Sequence, residues 1–282
     1  MVTFSIIDES FDTRVTSSYF FSVRLNPDGF SYCTLDPVRN KYIQIGNIVL
    51  NEDEQSVPQL NSHFSSIDIL NLPYKKTLIL VPTRTATIVP SGIFEPDKAE
   101  TLLRFCCEVS ENETIHYNKV RAADAFNIFS IRSDIETFFK MQFPEPVFLH
   151  QNTPLIDSYL SSSTICENET NFVCINFNAY FFDIVVFDKS GLKLCNSFPA
   201  KNENDVVYYT LFTFEQLKFA ESATTVFISG INDANRKFSD KLSRYLSRIK
   251  YVEFPNNFRY AMKFKDARIA GFYNLFSLSS CV

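Results

Sequence analysis

The side chains from which a catalytic site could be built are seven cysteines, three histidines and 32 carboxylates. The cysteines are Cys33, Cys106, Cys107, Cys166, Cys174, Cys195 and Cys281, an odd count with no CxxC. Cys33, Cys174 and Cys195 lie inside apolar runs, the pattern of reduced, buried thiols, and Cys106-Cys107 reads as helix packing. His63, His116 and His150 are far apart, with no HxH or HxxxH spacing, so a histidine metal site has no support. Asp183, Asp188, Glu215, Asp233 and Asp240 supply carboxylates, but acid–base work needs a pairing geometry, and solvated faces are their default reading. No GxSxG or HExxH occurs. Phosphate chemistry needs glycines where backbone N–H groups close on an anion. The six glycines, at 29, 46, 92, 191, 230 and 271, never fall within five residues of each other, so neither a Walker nor a dinucleotide loop can be written.

The elements that would position such side chains are clearer. Phe21 to Ile45 and Phe172 to Ala200 each show an alternating β-branched and aromatic run, broken twice by a polar turn and twice resumed. Each reads as a three-stranded meander. The first breaks at Asn26-Pro27-Asp28-Gly29 and Asp36-Pro37-Val38-Arg39-Asn40, the second at Asn178-Ala179-Tyr180 and Lys189-Ser190-Gly191. After the first meander come a short helix near Leu60–Leu70, strands at Lys76–Val81 and Thr83–Val89, and a helix from Asp97 to about Val109. Strands near Thr114–Val120 and Ala125–Ile131, a helix after Ser133, a short strand at Val147–His150 and a helix at Pro154–Leu160 follow. The stretch SSSTICENETN is the most linker-like and marks a domain boundary. Beyond the second meander, helices at about Asp205–Phe219 and after Asp233 flank a strand at Thr224–Ser229. Phe238, Leu242, Tyr245, Leu246 and Ile249 form the expected buried stripe of the latter helix, and Tyr251–Phe254 a last strand. The tail to Val282 has no clear period.

A length of 282 residues suffices for two core-bearing domains, and 45% hydrophobic with 21% charged residues describes a globular chain rich in rings, with 30 Phe, 13 Tyr and no Trp. A net charge of −5 and the lack of a basic stripe interleaved with aromatics argue against nucleic acid. No apolar window is long enough for a membrane span, and the acidic start MVTFSIIDES lacks a signal peptide's basic region, so the cytoplasm is the expected address.

Meander, helix, strand, helix, strand, used twice, resembles the actin-like ATPases, and the order of elements is similar to their pilus-assembly and cell-division branch. There a small strand, helix and two-strand module interrupts the first domain, and LILVPTRTATIVPSGIF, a helix and ETIHYNKV look like that module. The stretches LDPVRNKY and LILVPTRTATIVPSGIF also resemble an uncharacterised bacterial family of this fold. The resemblance implies an α/β, duplicated actin-like (ribonuclease H-like) fold. It implies a first domain over 1–165 with an inserted module at about 76–120, and a second over 166–282.

Members of this superfamily hold ATP phosphates in the two meander hairpins, with a hydrophobic-Asp-hydrophobic-Gly loop organising Mg²⁺ and water. The matching positions are Val23-Arg24-Leu25-Asn26 and Ile175-Asn176-Phe177-Asn178, where both aspartates and both glycines are replaced. Asp28-Gly29 survives in the first hairpin, and Gly230 alone remains of the glycine pair that packs on adenine and ribose. The resemblance therefore places a degenerate nucleotide cleft at Arg24, Asn26, Asp28, Asn176, Asn178 and Gly230. Arg24 can bind phosphate directly, but a surface or salt-bridged arginine is the reading adopted. The expectation is a non-catalytic pseudo-ATPase without catalytic residues, metal or required cofactor, acting as a scaffold for a protein or peptide partner near Lys76–Val120. Association with a membrane would come only through that partner. The alternative, a nucleotide-dependent ATPase or kinase-like enzyme using ATP and Mg²⁺ in an unorthodox pocket, rests on Asp28, Asp183 and Gly230; a cleft filled by Tyr180 and Arg24 would exclude it.

Overall fold

The computed structural model describes residues 4–26, 29–50, 57–162, 169, 171–230, 235–252, 254–264 and 270–281. Phe20–Asn26 (β2), Gly29–Asp36 (β3) and Lys41–Val49 (β4) form the first antiparallel meander. Its second turn is held by the Asp36 carboxylate, which accepts from the Val38 and Arg39 amides, and by Asn40 at φ 49°. Short polar side chains suit such turns because they bond their own backbone and tolerate left-handed φ. Phe4–Ile7 (β1) pairs with β4, Lys76–Val81 (β5) runs parallel to β2, and Val147–His150 (β9) runs parallel to β5. The sheet order is β1-β4-β3-β2-β5-β9, with Arg259–Tyr260 (β15) added on β4.

A separate three-stranded sheet comes from Ala86–Pro90 (β6), Glu113–Val120 (β7) and Ala125–Arg132 (β8), in the order β6-β8-β7, with Ala99–Cys106 (α2) before β7. Strand, helix and two strands follow one another here along the chain, from Ala86 to Arg132. Lys76–Val81, however, lies inside the first sheet rather than in this unit.

The second meander is Phe172–Phe177 (β10), Phe181–Asp188 (β11) and Gly191–Pro199 (β12), extended by the parallel strands Thr225–Ser229 (β13) and Ile249–Tyr251 (β14) in the order β12-β11-β10-β13-β14. The crossover to β13 is Glu203–Leu217 (α5), started by a capping box in which Asn202 and Asp205 satisfy each other's amides. Arg236–Leu242 (α6) follows β13. This helix ends well before Ile249, and Tyr245, expected in its buried stripe, is 49% exposed.

The two meander sheets each carry packed cores on both faces. One face of the first, with Phe21, Val23 and Phe30, packs on Val57–Ser66 (α1) and Ser133–Gln142 (α3), where the Phe64 ring meets Phe138 edge-on at 5.3 Å. The other, with Leu35, Tyr42 and Leu78, is covered by the tail, including Leu275 and Phe276 of Tyr273–Ser277 (α7). In the second sheet Val173, Ile175 and Ile184 face Val206 of α5 and Phe238 of α6, while Cys174, Val185 and Phe187 face Leu155, Ile156 and Tyr159 of Asn152–Leu160 (α4). Ser158 of α4 is hydrogen-bonded to Tyr273 of α7 at 2.8 Å, so these two helices are joined where the sheets approach each other. Among the described residues no helix is long and apolar enough to cross a membrane.

Candidate functional site

Residues directly opposite across antiparallel strands share a face, so the register of each meander decides which polar groups meet. In the first sheet Arg24 pairs with Ser31 and Ser31 with Asn47. In the second, Ser229 pairs with Asn176, Asn176 with Asp183, and Asp183 with Ser197. A polar row therefore crosses each sheet at a corresponding position, two residues before the end of β2 in the first and one before the end of β10 in the second.

The second row converges on Asp183, whose side chain is fully buried. Oδ1 accepts from Ser197 Oγ at 2.5 Å and Gln151 Nε2 at 3.2 Å, and Oδ2 accepts from Asn178 Nδ2 at 2.9 Å and Asn176 Nδ2 at 3.2 Å. All four neighbours donate, which suits an ionised, acceptor-only carboxylate. Burial nevertheless pushes the Asp183 carboxyl up, and the four hydrogen bonds pull it back only in part. The reading of Asp183 as a solvated side chain is thus overturned.

The rows are joined by Asn178. Arg24 Nη2 donates to Asn178 Oδ1 at 3.1 Å, and Arg24 Nη1 donates to the Gly271 carbonyl at 3.2 Å. Arginine has no acceptor, so Asn178 must turn its oxygen to Arg24 and its nitrogen to Asp183. Arg24 is buried, at 8% exposure, instead of lying on the surface. Gln151 ties in the end of β5: its amide accepts from Thr83 N at 3.1 Å and donates to Thr83 O at 2.9 Å. Arg24, Asn178, Asp183 and Gln151 therefore form one relay from sheet to sheet.

Of the positions marked for a nucleotide, Arg24, Asn176 and Asn178 come together in this relay, while Asn26 Nδ2 donates to Ser31 Oγ at 2.8 Å in the first row. Asp28 lies outside the described residues. The Asn178 amide, which a phosphate loop would offer to the anion, closes its own turn onto Phe181 O at 2.9 Å. Gly230 has φ +75°, and a Cβ there would sit 2.2 Å from Phe177 O, so the end of β10 occupies the space beside it. Tyr180 does not fill the cleft; it is 62% exposed. What remains between the hairpins is a cavity of about 240 Å³ lined by Arg24, Asn26, Thr83, Arg132 and Asn178. That is below the ~300–1,000 Å³ usual for small-molecule sites.

Gln151 and Ser197 were not singled out by sequence reasoning. Ser197 was not readable by counting, since the Lys189–Gly191 turn alone sets Asn196 opposite Asp183, and an irregularity between Val186 and Phe187 moves the register by one residue. Gln151 follows a strand without any motif.

A larger cleft of about 540 Å³ opens between β6 and β12, lined by Thr87, Ile88, His150, Leu194 and Cys195. Both strands are sheet edges with no second partner strand among the described residues. His150 Nε2 faces Thr83 O at 3.0 Å, and its Nδ1 receives Asn127 Nδ2 at 2.8 Å and the Asn152 amide at 3.2 Å, which fixes a neutral ring protonated on Nε2. Burial lowers His150 to about 4, the Thr83 bond acting the other way. Between its ordinary value of 6.5 and about 4 the unfolded chain takes up a proton that the folded chain refuses. The stabilisation is complete above the upper value and lost by the lower, about 3 kcal/mol in all. Urea unfolding from neutral to acid pH should show this loss in the wild type and a flatter profile in His150→Gln; equal slopes in both would contradict it. Among the described residues no group of three or more His, Cys, Asp and Glu is placed to hold a metal.

Two meander sheets flanked by crossover helices, with polar rows meeting between them, define a protein of the actin-like ATPase fold. A solved protein of that fold and unknown function from Bacteroides thetaiotaomicron is similar to it, at 26% identity and TM-score 0.73 over 86% of this chain and 93% of that one. In the PilM–PilN type IV pilus biogenesis complex, a chain at 9% identity matches with TM-score 0.58 over 92% of this chain and 97% of its own. No curated protein matches. The chain belongs to the family described as "Protein of unknown function (DUF3822)", which it matches over residues 8–249.

Proposed function

We propose that this protein is a pseudo-ATPase of the actin-like fold that works as a binding module for an extended peptide segment of a partner protein. The observation that carries the reading is the Arg24–Asn178–Asp183–Gln151 relay, which sets a carboxylate and its amide donors where phosphates would need free N–H groups. A phosphate there would meet Asp183 as a like charge and would have to displace Asn178 from Arg24. In this reading ATP and Mg²⁺ are not cofactors, and the chain divides near residue 165 into two domains.

The partner's segment would lie in the 540 Å³ cleft, where the free edge of β6 offers backbone groups for an added strand. The pilus protein of similar fold was solved in complex with a second protein, and a retained partner surface without nucleotide chemistry fits that precedent. An unorthodox nucleotide enzyme is the rival reading, favoured by the cavity beside Arg24. Peptides selected from a random library on the intact protein should protect the amides of Ala86–Pro90 from hydrogen exchange and lose binding, by about tenfold or more, in Thr87→Arg. Binders indifferent to Thr87→Arg would contradict the proposal.

A further inference from the structure

The outer surface of α5 and α6, on the far side of the second sheet from the relay, carries rings that the core does not absorb. On α5 Tyr208 is 61% and Phe212 44% exposed, and their rings stack at 6.0 Å with 13° between planes. They line a groove of about 490 Å³ with Phe219, and its carboxylates are Glu215 and Glu221. Asn204, Tyr208, Phe212 and Glu215 are spaced four, four and three residues apart, so they form one exposed stripe along the helix.

The adjoining surface has the opposite charge. From α6 onward Arg236, Lys237, Arg244 and Arg248 are exposed, and so is Tyr245 among them. The two surfaces are contiguous, because Lys237 pairs with Glu203 at 3.4 Å and Lys241 is bonded to Asn204 at the start of α5. Arg236, Arg244, Glu215 and Glu221 make no ion pair among the described residues, so on a chain of net charge −5 an acidic aromatic patch and a basic one lie side by side.

We infer that this face pairs two copies of the chain about a two-fold axis, the ring-lined acidic groove of α5 in each copy receiving the basic, Tyr245-bearing segment after α6 of the other. A two-fold interface must be self-complementary: where one patch contacts a second, the second must contact the first in return. Two neighbouring patches of opposite charge on one face satisfy that condition with no other partner. The rings supply apolar area at the centre, and the arginines and glutamates fix the register.

Analytical ultracentrifugation of the full chain at high micromolar concentration and low salt should give twice the 32.5 kDa monomer mass, shifting toward monomer as salt is raised. Phe212→Glu should raise the dissociation constant by about tenfold or more while leaving the unfolding temperature of the monomer unchanged, since the ring is exposed. Glu215→Arg and Arg244→Glu should each be monomeric alone and should pair when mixed, because each contact then joins opposite charges again. A wild type that stays monomeric, or a dimer that persists unchanged in Phe212→Glu and in both charge reversals, overturns the inference.

Discussion

Asp183→Ala is expected to unfold about 10 °C below the wild type in a thermal scan. The carboxylate is the acceptor for Ser197, Gln151, Asn178 and Asn176, and the last three are left with a buried donor when it is removed. Arg24, at 8% exposure, also loses the carboxylate to which Asn178 connects it. Breaking one side of a buried charged network costs about 3–5 kcal/mol, and each kcal/mol is worth roughly 2–4 °C in a chain of this size. Arg24→Leu should be damaging on its own for the same reason. The Arg24→Leu/Asp183→Leu double variant should lose less than the two single changes together, by about 0.5–3 kcal/mol, because removing both charges leaves neither stranded. Strict additivity would mean that the two rows do not act as one relay.

Gly230→Ala carries the second large effect. With φ at +75° any side chain is strained, and the added carbon would sit 2.2 Å from the Phe177 carbonyl and 3.1 Å from Asn176 Oδ1. Neither neighbour yields easily, since Phe177 is strand backbone and Asn176 is held by Asp183 and by Ser229. A loss of about 3 kcal/mol is expected, and it should be present in the absence of any nucleotide. If Gly230→Ala folded as stably as the wild type and lost only nucleotide affinity, the glycine would be serving a ligand and not the end of β10.

Both meanders were legible because their turns carry the residues that turns demand: Asp36 and Asn40 in the first, Gly191 in the second, each found doing the expected work. The row Asn176–Asp183–Ser197 itself was only partly legible: an irregularity between Val186 and Phe187 shifts the register, so Ser197 faces Asp183 where counting from the turn would set Asn196. The joining of the rows was not legible, since Arg24 and Asn178 are 154 positions apart and meet only because the two sheets close on each other. Asp183 looked like one carboxylate among many; its meaning came from Gln151, which reaches it from the end of a different sheet. Tyr245 continued the helical spacing of Phe238 and Leu242, but the helix stops at Leu242 and the ring turns outward. The tail had no period to read because its helix, Tyr273–Ser277, is only five residues long and buried on every side, so it has no polar face to alternate with an apolar one. Gly230 was ambiguous in sequence, since a glycine that admits a ligand and one that admits a neighbouring strand look the same.

In the proposed reading the protein's own arginine, amides and carboxylate take the place where an actin-like ATPase would hold phosphate, and binding of Mg-ATP tests this most directly. Thermal unfolding of the purified protein should be the same with and without millimolar Mg-ATP, and Arg24→Ala should respond no differently. A nucleotide at a hundred times its dissociation constant would stabilise the native state by about 2.7 kcal/mol. An upward shift of that order, abolished by Arg24→Ala, would contradict the account and establish a nucleotide site at the relay.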